Sequence, residues 1–556
     1  MRATCTSISS DVIGRDGFYR AFLCDFARVS SFFSYDPRSP GAAVRRREHI
    51  SSRDHRAGRE SVAEWLLRCN TDWGALPPAL EAAEKLKDPG ASVVLAQVRP
   101  ALLGGDRSVL CKVLSVIEYA RRLEELCETP VIPLIWVISD HNWGGIGQVK
   151  MLDPVGEVHT LALRPEPPPA TPAHKIPLHP GIYDVVGEME RILRISSPQD
   201  NQVCRLVRQC SREADALNDA FCRLLVGLFS SSGVLVVDES DAGTRMRMAP
   251  VLQRAAVSRY SVEQELEVGH ERLEMAGYSP PVPESKGQCH IFVDTERGRR
   301  RLIRREKIFC DEQESFRLPA GSVAEMISED AHLFSPGEIL RPIAQDAVLP
   351  VMAFVAGPDE SAMRAQAGGI WSIFDAEVPP IYPQMHLTLV NPQLDSALRR
   401  AGLSIQDAVF PVRGPETIDN RREEVLDDLG GEIIRDAFGE AEQRFEVICG
   451  QLWDKLEQAA PSVEQIHEKS EDRMRWILQC YRDKAGQHLR RRHRDTVRDF
   501  RLIRNTLHPY DGSQACLSYL PCLMRYGGRW VTAVAEALAD QDYLWRPFVV
   551  RWSDSG

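Results

Sequence analysis

Residues 350–356 form an apolar run that passes directly into Gly357-Pro358-Asp359-Glu360, and a break of this kind is where a buried strand hands over to a helix. The strand itself is expected over 351–355. Three further stretches, 92–95, 131–138 and 233–237, are equally short, apolar and rich in Val or Ile. Helical patterns lie between several of them. Residues 111–127 carry Val113, Leu114, Ile117, Ala120 and Leu123 at helical spacing, and residues 214–229 lead into the strand that ends at Asp238. Strands alternating with helices predict an α/β fold with a mostly parallel sheet. In an open sheet of this type ligands bind at the carboxyl edge, so the 357–360 loop is expected near a site. Asp238, directly after a strand, can point at that ligand or cap the next helix.

The remaining regions read differently. Residues 164–180 are proline-rich and predict a surface excursion. From 246 to 334 the pattern suggests an inserted connective subdomain, with a hairpin of 290–294 and 301–303 turning near Gly298. Beyond Pro392 no strand is expected. Ile434, Phe438, Ala441, Phe445, Ile448 and Leu452 are spaced alternately four and three apart, the narrow seam of a coiled coil. A partner helix with Val463, Ile466, Met474, Ile477 and Tyr481 follows Pro461-Ser462. Two long helices with this seam bury it against each other or across a dimer axis. The expected domains are an α/β core in two parts, 1–245 and 335–392, the insertion 246–334, and a helical coiled-coil domain with its tail, 393–556.

Composition narrows the function classes. The 556 residues are 43% hydrophobic and 26% charged, globular values. A chain of this length holds roughly two to four structural units. A net charge of -11 argues against a general polyanion binder. Fourteen cysteines occur with no CxxC pair, and neither Cys204/Cys210 nor Cys516/Cys522 has zinc-ligand spacing, so a reduced chain without a metal site is expected. The opening residues lack a signal-peptide core, and the apolar stretch 131–138 falls far short of the roughly 20 residues that cross a bilayer. The expectation is a soluble, cytoplasmic protein with no membrane partner.

Several motifs occur together and in order. Arg341-Pro342 and Gln345-Asp346 precede the 351–355 strand, and Gly357-Pro358, Glu360 and Ala365-Gln366 follow it. With Ser30-Ser31-Phe32-Phe33, residues 233–238, Ala276-Gly277-Tyr278, Phe334-Ser335-Pro336 and Arg525-Tyr526-Gly527, they resemble the cysteine-adding ligases of bacillithiol biosynthesis, the BshC family, over most of the chain. The resemblance implies a Rossmann-like core related to class I aminoacyl-tRNA synthetases, with connective insertions and a coiled coil used for homodimerisation. It implies the joining of cysteine to glucosaminyl-malate, an amino-sugar malate glycoside, with an adenine nucleotide, ATP or ADP, bound.

Departures fall where chemistry is expected. Family members carry Thr-Gly-Gln-Gln and then Gly-Gly-Pro-Leu-Tyr-Thr; this chain has Ala96-Gln97-Val98-Arg99 and then Gly104-Gly105-Asp106-Arg107-Ser108-Val109, with Lys112 kept. A family Glu-Asp-His-Asp run stands here as Ser139-Asp140-His141-Asn142, and a family Pro-Arg as Pro383-Gln384, which loses a cation suited to a carboxylate or phosphate. The resemblance assigns amine handling to Asp140 and His141, since His titrates near neutrality, and charge neutralisation to Lys112. It gives substrate contacts to Gln97, Asn142, Arg341, Gln345, Asp346, Gly357, Glu360 and Gln366. Asp140 and His141 read equally as a helix cap beside a hydrogen-bonded histidine.

Two other readings stand beside the ligase. The altered motifs suit a catalytically impaired homologue acting as a structural or regulatory dimer. The basic run 489–494, with Arg491, Arg492 and Arg494, suits nucleotide phosphates or an RNA backbone, because arginine forks match phosphate oxygens. It also reads as a solvated helix face balanced by Glu468, Glu471 and Asp472. No P-loop is present, no GxGxxG follows a strand, and the signatures of class I synthetases are absent, so neither tRNA charging nor a nucleic-acid partner is expected. Cys111, beside Lys112, reads as a buried helix cysteine.

Overall fold

Five parallel strands form the central sheet of this computed structural model: β1 (Ser92–Val98), β2 (Val131–Val137), β3 (Leu235–Asp238), β4 (Val351–Ala356) and β5 (Ile381–Pro383). The residues described are 1–10, 17–53, 58–140, 144–168, 171–195, 197–283, 287–295, 298–314, 316–410, 413–541 and 545–553. The spatial order is β5-β4-β1-β2-β3, so the chain winds outward from β1 on one side and then crosses to build the other. Both faces are covered. Val94, Ala96 and Val98 of β1 join one apolar layer while Val93 and Leu95 join the other, which is why the strands read as continuous apolar runs. In β4 the alternation breaks at a register shift between Val351 and Ala353, and Met352 and Ala353 both face the first layer.

Four helices position the carboxyl edge of this sheet: α1 (Arg107–Cys127), α2 (Ala242–Val257), α3 (Arg341–Val348) and α4 (Pro358–Gln366). Helices α1 and α4 follow β1 and β4, the adjacent pair at which the winding reverses. Crossovers that leave a sheet in opposite directions open a crevice between them, and ligands of doubly wound folds sit there. Asp106 starts α1 by accepting a hydrogen bond from Ser108 N at 3.0 Å.

The insertion carries the expected hairpin. Gln288–Thr295 pairs with Gly298–Arg305, and Phe334–Pro336, Ile308–Cys310 and Arg317–Pro319 complete an antiparallel sheet. A second hairpin, Gln148–Leu152 with Val158–Ala162, has no counterpart in the sequence expectation. A strand also forms beyond Pro392: Phe548–Ser553 lies antiparallel to Arg2–Ser7 and parallel to Leu387–Val390. Its Phe-Val-Val run is β-forming, but its partners come from far away in the chain, which local periodicity does not reveal. Accordingly, Gln514–Gly556 groups with Met1–Pro154 and Val158–Val390 in one structural unit.

The second unit comprises Val155–Glu157 and Asn391–Ser513. Its long helices, α5 (Glu432–Ala459) and α6 (Glu464–Arg492), form an antiparallel hairpin in which Phe438 meets Tyr481 edge-on at 5.2 Å and Trp453 stacks on His467 at 5.0 Å. The seam is only partly closed. Ile448, Met474 and Ile477 keep 62%, 48% and 51% of their surface exposed and line a groove of about 500 Å³. Among the described residues no helix is long and apolar enough to cross a membrane.

Candidate functional site

A cavity of about 630 Å³ opens at the carboxyl ends of β1, β2 and β4, bounded by Gln97, Ile138 and Gly357. Lys112, one helical turn into α1, lines it. The ammonium donates to the Gln97 carbonyl at 2.6 Å and to Glu360 Oε1 and Oε2 at 2.9 and 3.0 Å. Glu360 comes from the first turn of α4, where Pro358 needs no N–H partner and the Glu360 carboxylate accepts from the Gly357 N–H at 2.8 Å. Burial pushes the Glu360 carboxyl up, but the charges of Lys112 and Arg364 and the Gly357 N–H outweigh it and hold it below its ordinary value.

The motif before β4 is built into buried ion pairs. Arg341 borders the cavity, yet its Nε lies 2.7 and 2.9 Å from the Glu239 oxygens, and both side chains are buried. Glu239 also accepts from Trp136 Nε1 at 2.8 Å. Asp346 is buried between Arg46 and Arg53, and Arg46 further donates to the Val351 carbonyl at 2.9 Å. Gln345 is fully buried; its Oε1 accepts from Gln97 Nε2 at 2.8 Å and its own Nε2 has no hydrogen-bond partner. Gln366 clamps the backbone of Val282 through both amide atoms, at 2.9 and 3.0 Å.

Asp140, just past β2, is also buried. Arg245 of α2 donates to its Oδ1 at 2.5 Å, His174 Nδ1 lies 3.6 Å from the same atom, and Oδ2 has no hydrogen-bond partner. Burial opposes its ionisation, and the charges of Arg245, Arg299 and His174 more than reverse this, leaving the carboxyl below its ordinary value. Arg245 and His174 also approach Asp294, at 3.4 and 3.7 Å, so two carboxylates share one guanidinium and one imidazole. Asp238 neither lines the cavity nor caps α2. It accepts from Ser240 N at 2.9 Å and from Asn218 at 2.5 Å, and Asp241 caps α2 through Thr244 N.

Of the expected site residues, Gln97, Lys112, Arg341, Gly357 and Glu360 line this cavity. Asp140, Gln345, Asp346 and Gln366 do not line it and are buried in the contacts just given. His141 and Asn142 lie outside the described residues. Arg491 and Arg492 end α6 and Arg494 begins the next helix, all exposed, in the second unit. Cys111 is buried, and that burial pushes its thiol up to about 12. Among the described residues no group of three or more His, Cys, Asp or Glu is arranged to hold a metal ion.

The cavity also takes residues outside the expected set: Arg99, Lys150, Glu338, Asp359, Gln384 and Cys516. Arg99 and Gln384 stand at motif departures and were visible in that sense. Lys150 sits on the unexpected 148–162 hairpin, so no motif pointed to it.

Comparison with known proteins gives one consistent result. The family model for the N-terminal Rossmann-like domain of bacillithiol biosynthesis BshC matches residues 1–385, and that for the BshC C-terminal coiled-coil domain matches residues 387–543. Curated relatives carry the name "Putative cysteine ligase BshC". The Symbiobacterium thermophilum protein is 24% identical over 526 residues, covering 92% of this chain and 93% of its own. The Desulforamulus reducens protein is 24% identical over 545 residues, covering 96% and 98%. That of Salinibacter ruber is 27% identical over 399 residues, covering 69% and 70%.

Proposed function

From the premise that this chain belongs to the BshC family of bacillithiol biosynthesis, we propose that it is a ligase forming an amide between the carboxyl group of cysteine and the amino group of glucosaminyl-malate. The observation that supports this most is the cavity at the reversal of the sheet, where Gln97, Lys112, Arg341 and the Gly357 to Glu360 turn converge from four segments of the chain.

Amide formation requires an activated carboxyl and an unprotonated amine. A bound ATP would supply the activation of the cysteine carboxyl, and the amine would lose its proton as it bonds to the acyl carbon. The starts of α1 and α4 open on the cavity, and such helix ends favour anionic groups. In this reading Lys112, freed from Glu360 by an arriving anion, counters negative charge at the reacting carboxyl, and Arg341 and the Gln97 to Gln345 hydrogen bond keep the cavity floor rigid. His141, next to Asp140, is the proposed base for the amine.

The partly exposed seam of α5 and α6 suits pairing with a second copy, so we read the functional form as a homodimer through the coiled coil, acting in the cytoplasm where nucleotide and cysteine are available. Incubation with cysteine, glucosaminyl-malate and ATP, followed by mass spectrometry, tests the reaction. The amide product is expected, and its loss in His141→Ala is expected too. No product with any nucleotide would favour the impaired homologue.

A further inference from the structure

Several charged side chains border the cavity. Lys112 and Arg341 each face a buried or nearly buried carboxylate, Glu360 and Glu239. Two more cations border the space on neighbouring segments: Arg99, directly after β1, and Lys150, on the 148–162 hairpin. The Leu102 N–H donates to the Ile146 carbonyl at 2.8 Å, which ties the loop after Arg99 to the segment that enters the hairpin. Ser518 N donates to the Lys150 carbonyl at 2.7 Å, and the Lys150 charge reaches the Cys516 thiol on the cavity wall. Arg99 is exposed and Lys150 half-buried. Exposed ion pairs are worth about 1 kcal/mol or less, so an arriving carboxylate competes for the exposed Arg99 at little cost. The acids Glu338 and Asp359 border the same cavity from other segments, just before α3 and in the first turn of α4.

A ligand with an anionic end and an amine end meets opposite preferences at these two sets of residues. We propose that Arg99 and Lys150 set acceptor specificity by binding the carboxylate end of the acceptor, which directs its amino group toward the Glu338 and Asp359 segments. This rests on the ligase reading for the identity of the acceptor, but not for the binding of a carboxylate. Arginine presents a planar fork to a carboxylate and lysine a point charge, so the two together suit a dicarboxylate such as a malyl group.

The test compares wild type with Arg99→Gln and Lys150→Gln. With turnover as readout, each substitution is expected to raise the KM for glucosaminyl-malate ~10-fold or more, the order of one lost charge-assisted hydrogen bond, with kcat and the KM for cysteine unchanged. Methyl glucosaminide, which has the amine and no carboxylate, is expected to be a poor acceptor for wild type and equally poor for both variants. A second arm needs no turnover: malate alone, titrated calorimetrically, is expected to bind wild type and to bind both variants ~10-fold more weakly. Malate binding lost in the variants, with no product formed by any of them, sustains this proposal and removes the ligase reading. Turnover with an unchanged acceptor KM in both variants overturns the proposal and leaves the ligase reading standing. Absence of both turnover and malate binding in wild type overturns both.

Discussion

Lys112 and Glu360 join the two helices that start where the sheet reverses, with the ammonium 2.9 and 3.0 Å from the two carboxylate oxygens. The third ammonium hydrogen goes to the Gln97 carbonyl at 2.6 Å. Lys112 is therefore engaged in the free protein, and an anionic ligand has to compete with Glu360 for it. The pair both fixes the width of the crevice and sets a threshold for anion entry.

Only 15% of the Lys112 side chain and 18% of the Glu360 side chain are exposed, so breaking the pair leaves a largely desolvated charge without its partner. Glu360→Gln is expected to cost about 2 kcal/mol and lower the melting temperature by a few degrees. Lys112→Met combined with Glu360→Gln is expected to cost less than the sum of the single changes, since the second removes a charge already orphaned by the first. Additive shifts in melting temperature would show that the two side chains act independently.

The same pair predicts an acid-dependent loss of stability. The folded-state carboxyl of Glu360 lies below its ordinary value of 4.5, so its contribution is complete above that value and disappears as pH falls through the folded-state value. The gap in melting temperature between wild type and Glu360→Gln is expected to be constant at neutral pH and to shrink at more acidic pH. A gap that is unchanged throughout would contradict the assignment.

Asp346 is expected to behave as part of the frame. Asp346→Asn leaves Arg46, which is 0% exposed, with a much weaker partner, and removal of one member of a buried pair costs roughly 3–5 kcal/mol. A large fall in melting temperature is predicted, with ligand affinity of the remaining folded protein unchanged. A variant with normal melting temperature and weakened ligand binding would place Asp346 in the site instead.

For the second unit, Ile477→Asp puts a charge into the apolar groove between Phe445, Ile448 and Met474. Sedimentation is expected to show wild type at the mass of two chains and the variant at the mass of one, with the helical content of both equal by circular dichroism. A monomeric wild type at micromolar concentration would rule out the coiled-coil dimer.

The sheet was legible because strands buried on both faces leave continuous apolar runs, and the α5 and α6 seam because its spacing survives any arrangement of the partner helix. The chemistry of the motif before β4 was not. Arg341 and Asp346 read as ligand contacts in sequence, and the ion pairs that hold them are not visible there, because a buried ion pair and a substrate site call for the same residue types. Their partners lie far off in the chain, Glu239 102 residues from Arg341, and Arg46 and Arg53 300 and 293 residues from Asp346, and carry no mark of the pairing. Lys150 was hidden for a similar reason. A five-residue strand such as Gln148–Leu152 becomes a cavity wall only once its hairpin partner is known.

Peptide-resolved alkylation tests most directly whether this cavity is where the acceptor binds. Cys516 is half-buried on the cavity wall, while Cys24 is exposed and outside it. Saturating glucosaminyl-malate is predicted to slow labelling of Cys516 and leave Cys24 unaffected. Unchanged labelling of Cys516 under conditions where the amide product forms would mean that the reaction takes place elsewhere.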